Sequence, residues 1–220
     1  MPTTTFRLLP AGKRLIRDTD AFQRMLPESM KFERKKDTDY LEVQTEIEED
    51  ERAKFMVTRE LDRLFFLTSV RIEAEICTRM KTSAVRTGWS IHGPIPAGTE
   101  RQTWTYELGL QLRLWALASE VLDPLSKIIL LYQIIELSQP VFPRYATAKQ
   151  PPDPLTECKF LRHLVTHAGN VENEELKRYC DYLDLPAVML DRSDPAYVDL
   201  LNSRLPILET EAQKIIRNVL

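Results

Sequence analysis

Apolar residues recur in twos along the first half of this chain and in threes and fours along the second. That change of period limits the fold more than any other feature. Within residues 40–47, Leu41, Val43, Thr45 and Ile47 alternate with polar or acidic neighbours, the pattern of a strand with one buried face. Val70, Ile72, Ala74 and Ile76 repeat it against Arg71, Glu73 and Glu75, and Val85, Thr87, Trp89 and Ile91 repeat it once more. Between the first two strands the period switches. Val57, Leu61, Leu64 and Phe65 fall at i, i+4, i+7 and i+8, so residues 48–68 read as a helix, with the acidic run 48–51 favourably placed at its N-terminus. Residues 92–98 form a turn or loop, and residues 102–106 read as a further strand.

The second half has no period of two. Residues 108–122 read as a helix, and Asp123 followed by Pro124 supplies a cap and first-turn pair for the next, residues 124–138. This helix is apolar nearly all round: Leu125, Ile128, Ile129, Tyr132 and Ile135 make one face, Leu130, Leu131 and Ile134 another. It must lie at the centre of a bundle or against a second subunit. Residues 140–154 hold prolines at 140, 143, 151, 152 and 154 and form a connecting loop. Helices follow over residues 155–168 and 172–183. Asp194-Pro195 opens a short helix, and Leu205-Pro206 opens the last, to residue 220. The expected architecture is a small α+β unit over residues 1–107 followed by an all-α bundle of four to five helices over residues 108–220.

A chain of 220 residues, 43% hydrophobic and 29% charged, can bury a core, which excludes disordered, collagen-like and coiled-coil classes. The net charge of −3 provides no general field toward a polyanion, so any nucleic acid must be held by a local cleft or patch. Apolar runs such as residues 128–132 fall far short of the roughly 20 residues that span a bilayer. Residues 1–10 lack a secretory pattern, and the expected location is cytoplasmic with no membrane partner. Cys77, Cys158 and Cys180 are an odd number without C-x-x-C spacing, which predicts buried reduced thiols. Lys31, Arg34, Lys35 and Lys36 read as a solvated loop, and Trp89, Trp104 and Trp115 as packing anchors. Phosphate-binding glycine loops, nucleophile elbows and zinc-protease helices are absent.

The chain has three histidines, His92, His163 and His167, and two of them share one helical segment with Arg162. Arg162 and His167 form an Arg-x4-His motif on the third major helix of the bundle, with His163 in the polar slot after the arginine. Arg86 and His92 make an Arg-x5-His spacing too, but fall on an alternating strand and its turn. This motif and helix order resemble the HEPN superfamily of small helical nucleases over residues 108–220. The resemblance implies metal-independent cleavage of RNA, without cofactor, by a homodimer whose two motifs meet in one cleft. It also implies a toxin or host-defence role, with an antitoxin or regulatory protein as a possible partner.

The residue types suit that chemistry. An imidazole with an ordinary pKa of about 6.5 can take a proton from a ribose 2′-hydroxyl near neutral pH. A guanidinium offers paired donors to the phosphoryl oxygens and stays charged. His167 is therefore assigned as acid/base and Arg162 as phosphate clamp, with His163 or Thr166 positioning substrate. Glu136 is expected either to hold the Arg162 guanidinium or to face solvent at the end of its helix. Five helical residues separate Arg162 from His167 by about 140° around the axis, so one straight helix does not aim both at one phosphate. Either the helix unwinds toward Gly169, or a second subunit completes the site. The competing reading gives Arg162 a packing role over the bundle and His167 an interaction with the helix dipole. On that reading the helices form a noncatalytic dimerisation module that binds a protein or nucleotide. His163 and His167, at i and i+4, lack the cysteine or carboxylate that a metal site needs.

Overall fold

A computed structural model describes residues 3–9, 14–44, 50–77, 103–166, 173–185 and 194–220. The chain divides into two compact units, Met1–Thr105 and Tyr106–Leu220.

The first unit is a four-stranded antiparallel sheet with helices on one face. It contains β1 (Thr3–Leu9), α1 (Thr19–Met25), β2 (Met30–Lys35), β3 (Thr38–Gln44), α2 (Asp50–Thr68) and β4 (Glu73–Ile76), with strand order β2-β3-β1-β4. Register follows from which side chains must leave water. Phe6 lies opposite both Leu41 and Ile76, and Met30 opposite Val43, so the apolar residues of all four strands share one face. Phe22 and Met25 of α1 and Ala53, Val57, Leu61 and Leu64 of α2 complete that core. As expected, Leu41 and Val43 point inward on β3, and Val70, Ile72, Ala74 and Ile76 line the core side of the β4 segment.

The basic run is not a loop. Residues 31–35 belong to β2, and Lys36, at φ 57°, makes the turn into β3. An acid of the hairpin organises this run. Asp39, fully buried, accepts hydrogen bonds from the Leu15 and Ile16 amides (2.8 and 2.9 Å) and from Arg34 Nε and Nη2 (2.5 and 3.0 Å). The carboxylate thus fastens the segment before α1 onto the β2–β3 hairpin. The anticipated strand over residues 102–106 does not form. Residues 103–105 are irregular and Tyr106 opens the next helix. Residues 85–91, read above as a strand, lie outside the described residues.

The second unit contains α3 (Tyr106–Glu120), α4 (Pro124–Leu137), α5 (Pro154–Thr166), α6 (Glu174–Tyr182) and α7 (Pro195–Val219). Asp123 caps α4, its carboxylate accepting from the Ser126 amide at 2.9 Å, with Pro124 in the first turn. α4 packs against α3, α5 and α7, which accounts for its apolar circumference. It is central within its own unit, so its surface gives no argument for a second subunit. The final two helices expected from sequence are one. Pro206 lies inside α7, exposed, while Tyr197, Leu201, Leu208, Ala212 and Ile216 form one continuous buried stripe past it. An interior proline costs about 3 kcal/mol through its missing N–H and its clash with the preceding turn. Burial of a stripe on both sides of it exceeds that cost, at about 1.5–3 kcal/mol for each large side chain buried.

Cys158 and Cys180 are buried free thiols, as expected, but Cys77 is exposed beyond the end of β4. Among the described residues, no helix is long and apolar enough to cross a membrane.

Candidate functional site

The candidate residues sit on α5 and the facing turn of α4. Asp153 receives the Thr156 amide on its side chain at 3.1 Å and the Glu157 amide on its carbonyl at 2.9 Å, which starts α5 at Pro154. The inward stripe holds Cys158, Leu161, Leu164 and Val165, together with Phe160. Burial pushes the Cys158 thiol far above its ordinary range, so it is an inert packing group.

A buried polar triad fixes α5 to its neighbours. Glu157 accepts a hydrogen bond from the Tyr179 hydroxyl of α6 at 2.9 Å and meets Arg204 of α7 at 3.3 Å. Burial first, and the Glu157 charge second, drive the Tyr179 hydroxyl strongly upward, so it remains a donor at any physiological pH. The Tyr179 ring lies 5.1 Å from that of Phe160, adding an aromatic contact to the same junction. This triad escaped the sequence reading because its three members come from separate helices and share no spacing.

Arg162 emerges half-buried from the rim of α5. Its guanidinium carbon stands 5.8 Å from the centroid of the Tyr132 ring on α4, a cation–π arrangement. Among the described residues the guanidinium has no hydrogen bond or ion pair. Glu136, one turn after Tyr132, is exposed and forms no ion pair with Arg162. The two charges instead act on the same tyrosine. Burial raises the Tyr132 hydroxyl pKa, the Glu136 charge raises it further and the Arg162 charge opposes the rise. Tyr132, which the sequence reading placed in the bundle core, is therefore also the floor under Arg162. Its spacing from Glu136, i to i+4, is the signal that could have joined it to the site.

Thr166 is exposed, and its hydroxyl donates to the Arg162 carbonyl at 2.9 Å, closing the last described turn of α5. Four helical residues bring the pair back to within about 40° of each other, so Arg162 and Thr166 share one flank. His163 is half-buried about 100° further round the helix. His167 lies outside the described residues, as do His92 and the Gly169 stop. The structure thus brings Arg162, Thr166, Tyr132 and Glu136 onto one α4–α5 edge. No cluster of three or more metal-ligating side chains occurs among the described residues.

Comparison of the chain with protein-family models, with curated proteins and with solved structures returns no match.

Proposed function

We propose that the helical unit is a HEPN-like module that cleaves RNA without metal, using Arg162 and His167 from two copies of the chain. The observation that carries this reading is the Arg162 guanidinium: laid on the Tyr132 ring and lacking a protein acceptor among the described residues. A guanidinium fixed by packing alone keeps its donor pairs for an oxyanion. The α5 helix that carries it is the third of the five described in its unit. The triad at Glu157 holds that helix rigidly enough for the donors to be aimed in advance.

In the proposed reaction the His167 imidazole removes the 2′-hydroxyl proton. The 2′-oxygen then bonds to phosphorus, Arg162 neutralises charge on the non-bridging oxygens, and the 5′-oxygen leaves with a proton from the partner's His167 in its imidazolium form. A second copy is proposed because a straight helix through residue 167 would set the two side chains about 140° apart, too far round to meet one phosphate from a single chain. Glu136, unpaired with Arg162, is proposed to set the polarity at the edge of this cleft.

Purified protein incubated with a mixed RNA pool in EDTA is expected to leave 2′,3′-cyclic phosphate ends, with His167→Ala losing the activity. Cleavage at wild-type rate by His167→Ala, or products bearing 5′-phosphates, would overturn the proposal. Binding of RNA or nucleotide with no cleavage by the wild-type protein would favour the noncatalytic module.

A further inference from the structure

A second guanidinium without a protein acceptor among the described residues occurs in the first unit, on α2. Arg59 lies with its guanidinium carbon 4.2 Å from the centroid of the Trp104 ring and 5.8 Å from that of Phe55. The Trp104 ring is itself held: its indole N–H donates to Glu60 Oε1 at 2.5 Å, and the Glu60 side chain is fully buried. Arg59 and Glu60 are adjacent in sequence and diverge by about 100° around the helix, so the carboxylate that fixes the indole acts on the arginine only through space, opposing the lowering of its pKa by burial without accepting from its donors. Among the described residues, Arg59 Nε is sealed from solvent with no hydrogen-bond partner, and no hydrogen bond or ion pair engages the rest of the group. Phe55, one turn earlier, is 62% exposed, an open aromatic surface beside the charge. The cluster therefore combines a rigid aromatic backing, a cation with unused donors and an exposed ring.

We propose that Phe55, Arg59 and Trp104 bind one nucleotide of single-stranded RNA, the base stacking on Phe55 and the phosphate engaging Arg59. This inference rests on the reading that the chain acts on RNA, and makes the first unit the grip for the strand that the second unit cuts. The chemistry fits an unpaired nucleotide better than an isolated anion, because a simple anion would leave the exposed ring unused. It also fits better than an acidic peptide, whose carboxylates offer no flat face to stack.

The test uses full-length His167→Ala protein, so that cleavage cannot intrude, and the polarisation of a labelled unstructured oligouridylate. Phe55→Ala is expected to weaken binding by about tenfold, the loss of one stacked base. Arg59→Gln is expected to weaken it and to reduce the slope of log affinity against log salt by about 0.7, one phosphate contact on a single strand. A purely structural role for Arg59 would leave that slope unchanged. Failure to bind, affinity unchanged in both variants, or equal displacement of the RNA by polyglutamate would overturn the inference. Cleavage by the wild-type chain is scored separately. An RNA that is cut but not held by Phe55 and Arg59 contradicts this site alone, and one that is held but not cut contradicts the nuclease proposal alone.

Discussion

The two units treat buried charge in the same way and differ in what they leave over. In the sheet unit, Arg34 closes on Asp39, Arg63 on Glu60 and Arg7 on Glu75, and each of these pairs joins or braces structural elements. In the helical unit, Glu157 closes on Tyr179 and Arg204 across three helices, yet Arg162, five residues further along α5, closes on no acceptor among the described residues. The lesson is that a partly buried arginine reports its role through its donors. When they end on a carboxylate or carbonyl the residue belongs to the fold. When only a ring backs them, they are available to a ligand. Arg59 follows Arg162 in this respect, although it sits in the sheet unit.

Substitutions can break or sharpen this contrast. The largest expected effect is at Asp39. Asp39→Ala strands two backbone amides and leaves the Arg34 guanidinium only the Ile16 carbonyl, and should lower stability by about 3–5 kcal/mol in urea unfolding. A loss under about 1 kcal/mol would mean that closed pairs in the sheet unit hold nothing together. Next is Tyr179→Phe, which removes a buried donor from Glu157 while keeping the ring, and is expected to cost about 1–3 kcal/mol by the same measurement. A neutral result would show that Arg204 alone satisfies the carboxylate. A smaller effect is expected from Asp123→Ala, which removes the α4 cap and should lower stability by about 1 kcal/mol, read from the thermal midpoint.

Much of this architecture is legible in the sequence wherever a period is long and unmixed. Leu41 and Val43, the Val57–Leu61–Leu64 stripe and the Asp123-Pro124 start of α4 each declare themselves, because solvent exclusion acts on neighbours at fixed spacing. β1 is harder to see: Phe6 and Leu8 alternate for only two steps behind a run of threonines. β2 is masked by its own charges, because Lys31, Glu33 and Lys35 face away from the core while Met30 alone on that strand is fully inside. At Pro206 a local rule was outweighed by tertiary burial, and two expected helices are one. For the candidate site, Arg162 is legible from its motif, whereas the Tyr132 floor is not. Its role arises from a contact between α4 and α5 that no spacing along the chain encodes. The Trp104–Glu60 and Glu157–Arg204 contacts are hidden for the same reason, with 44 residues separating the first pair.

The claim on which the rest depends is that Arg162 serves a ligand and not the fold, and one variant measured on two axes addresses it. Arg162→Ala is expected to change stability by no more than about 2 kcal/mol, the value of one partly buried cation–π contact. In the same preparation, RNA cleavage in EDTA should fall by at least about a hundredfold, as for loss of a donor to the transition-state oxyanion. An Arg162→Ala protein that cuts RNA as fast as the wild type, or one that loses activity only in proportion to a loss of several kcal/mol in stability, would contradict the account.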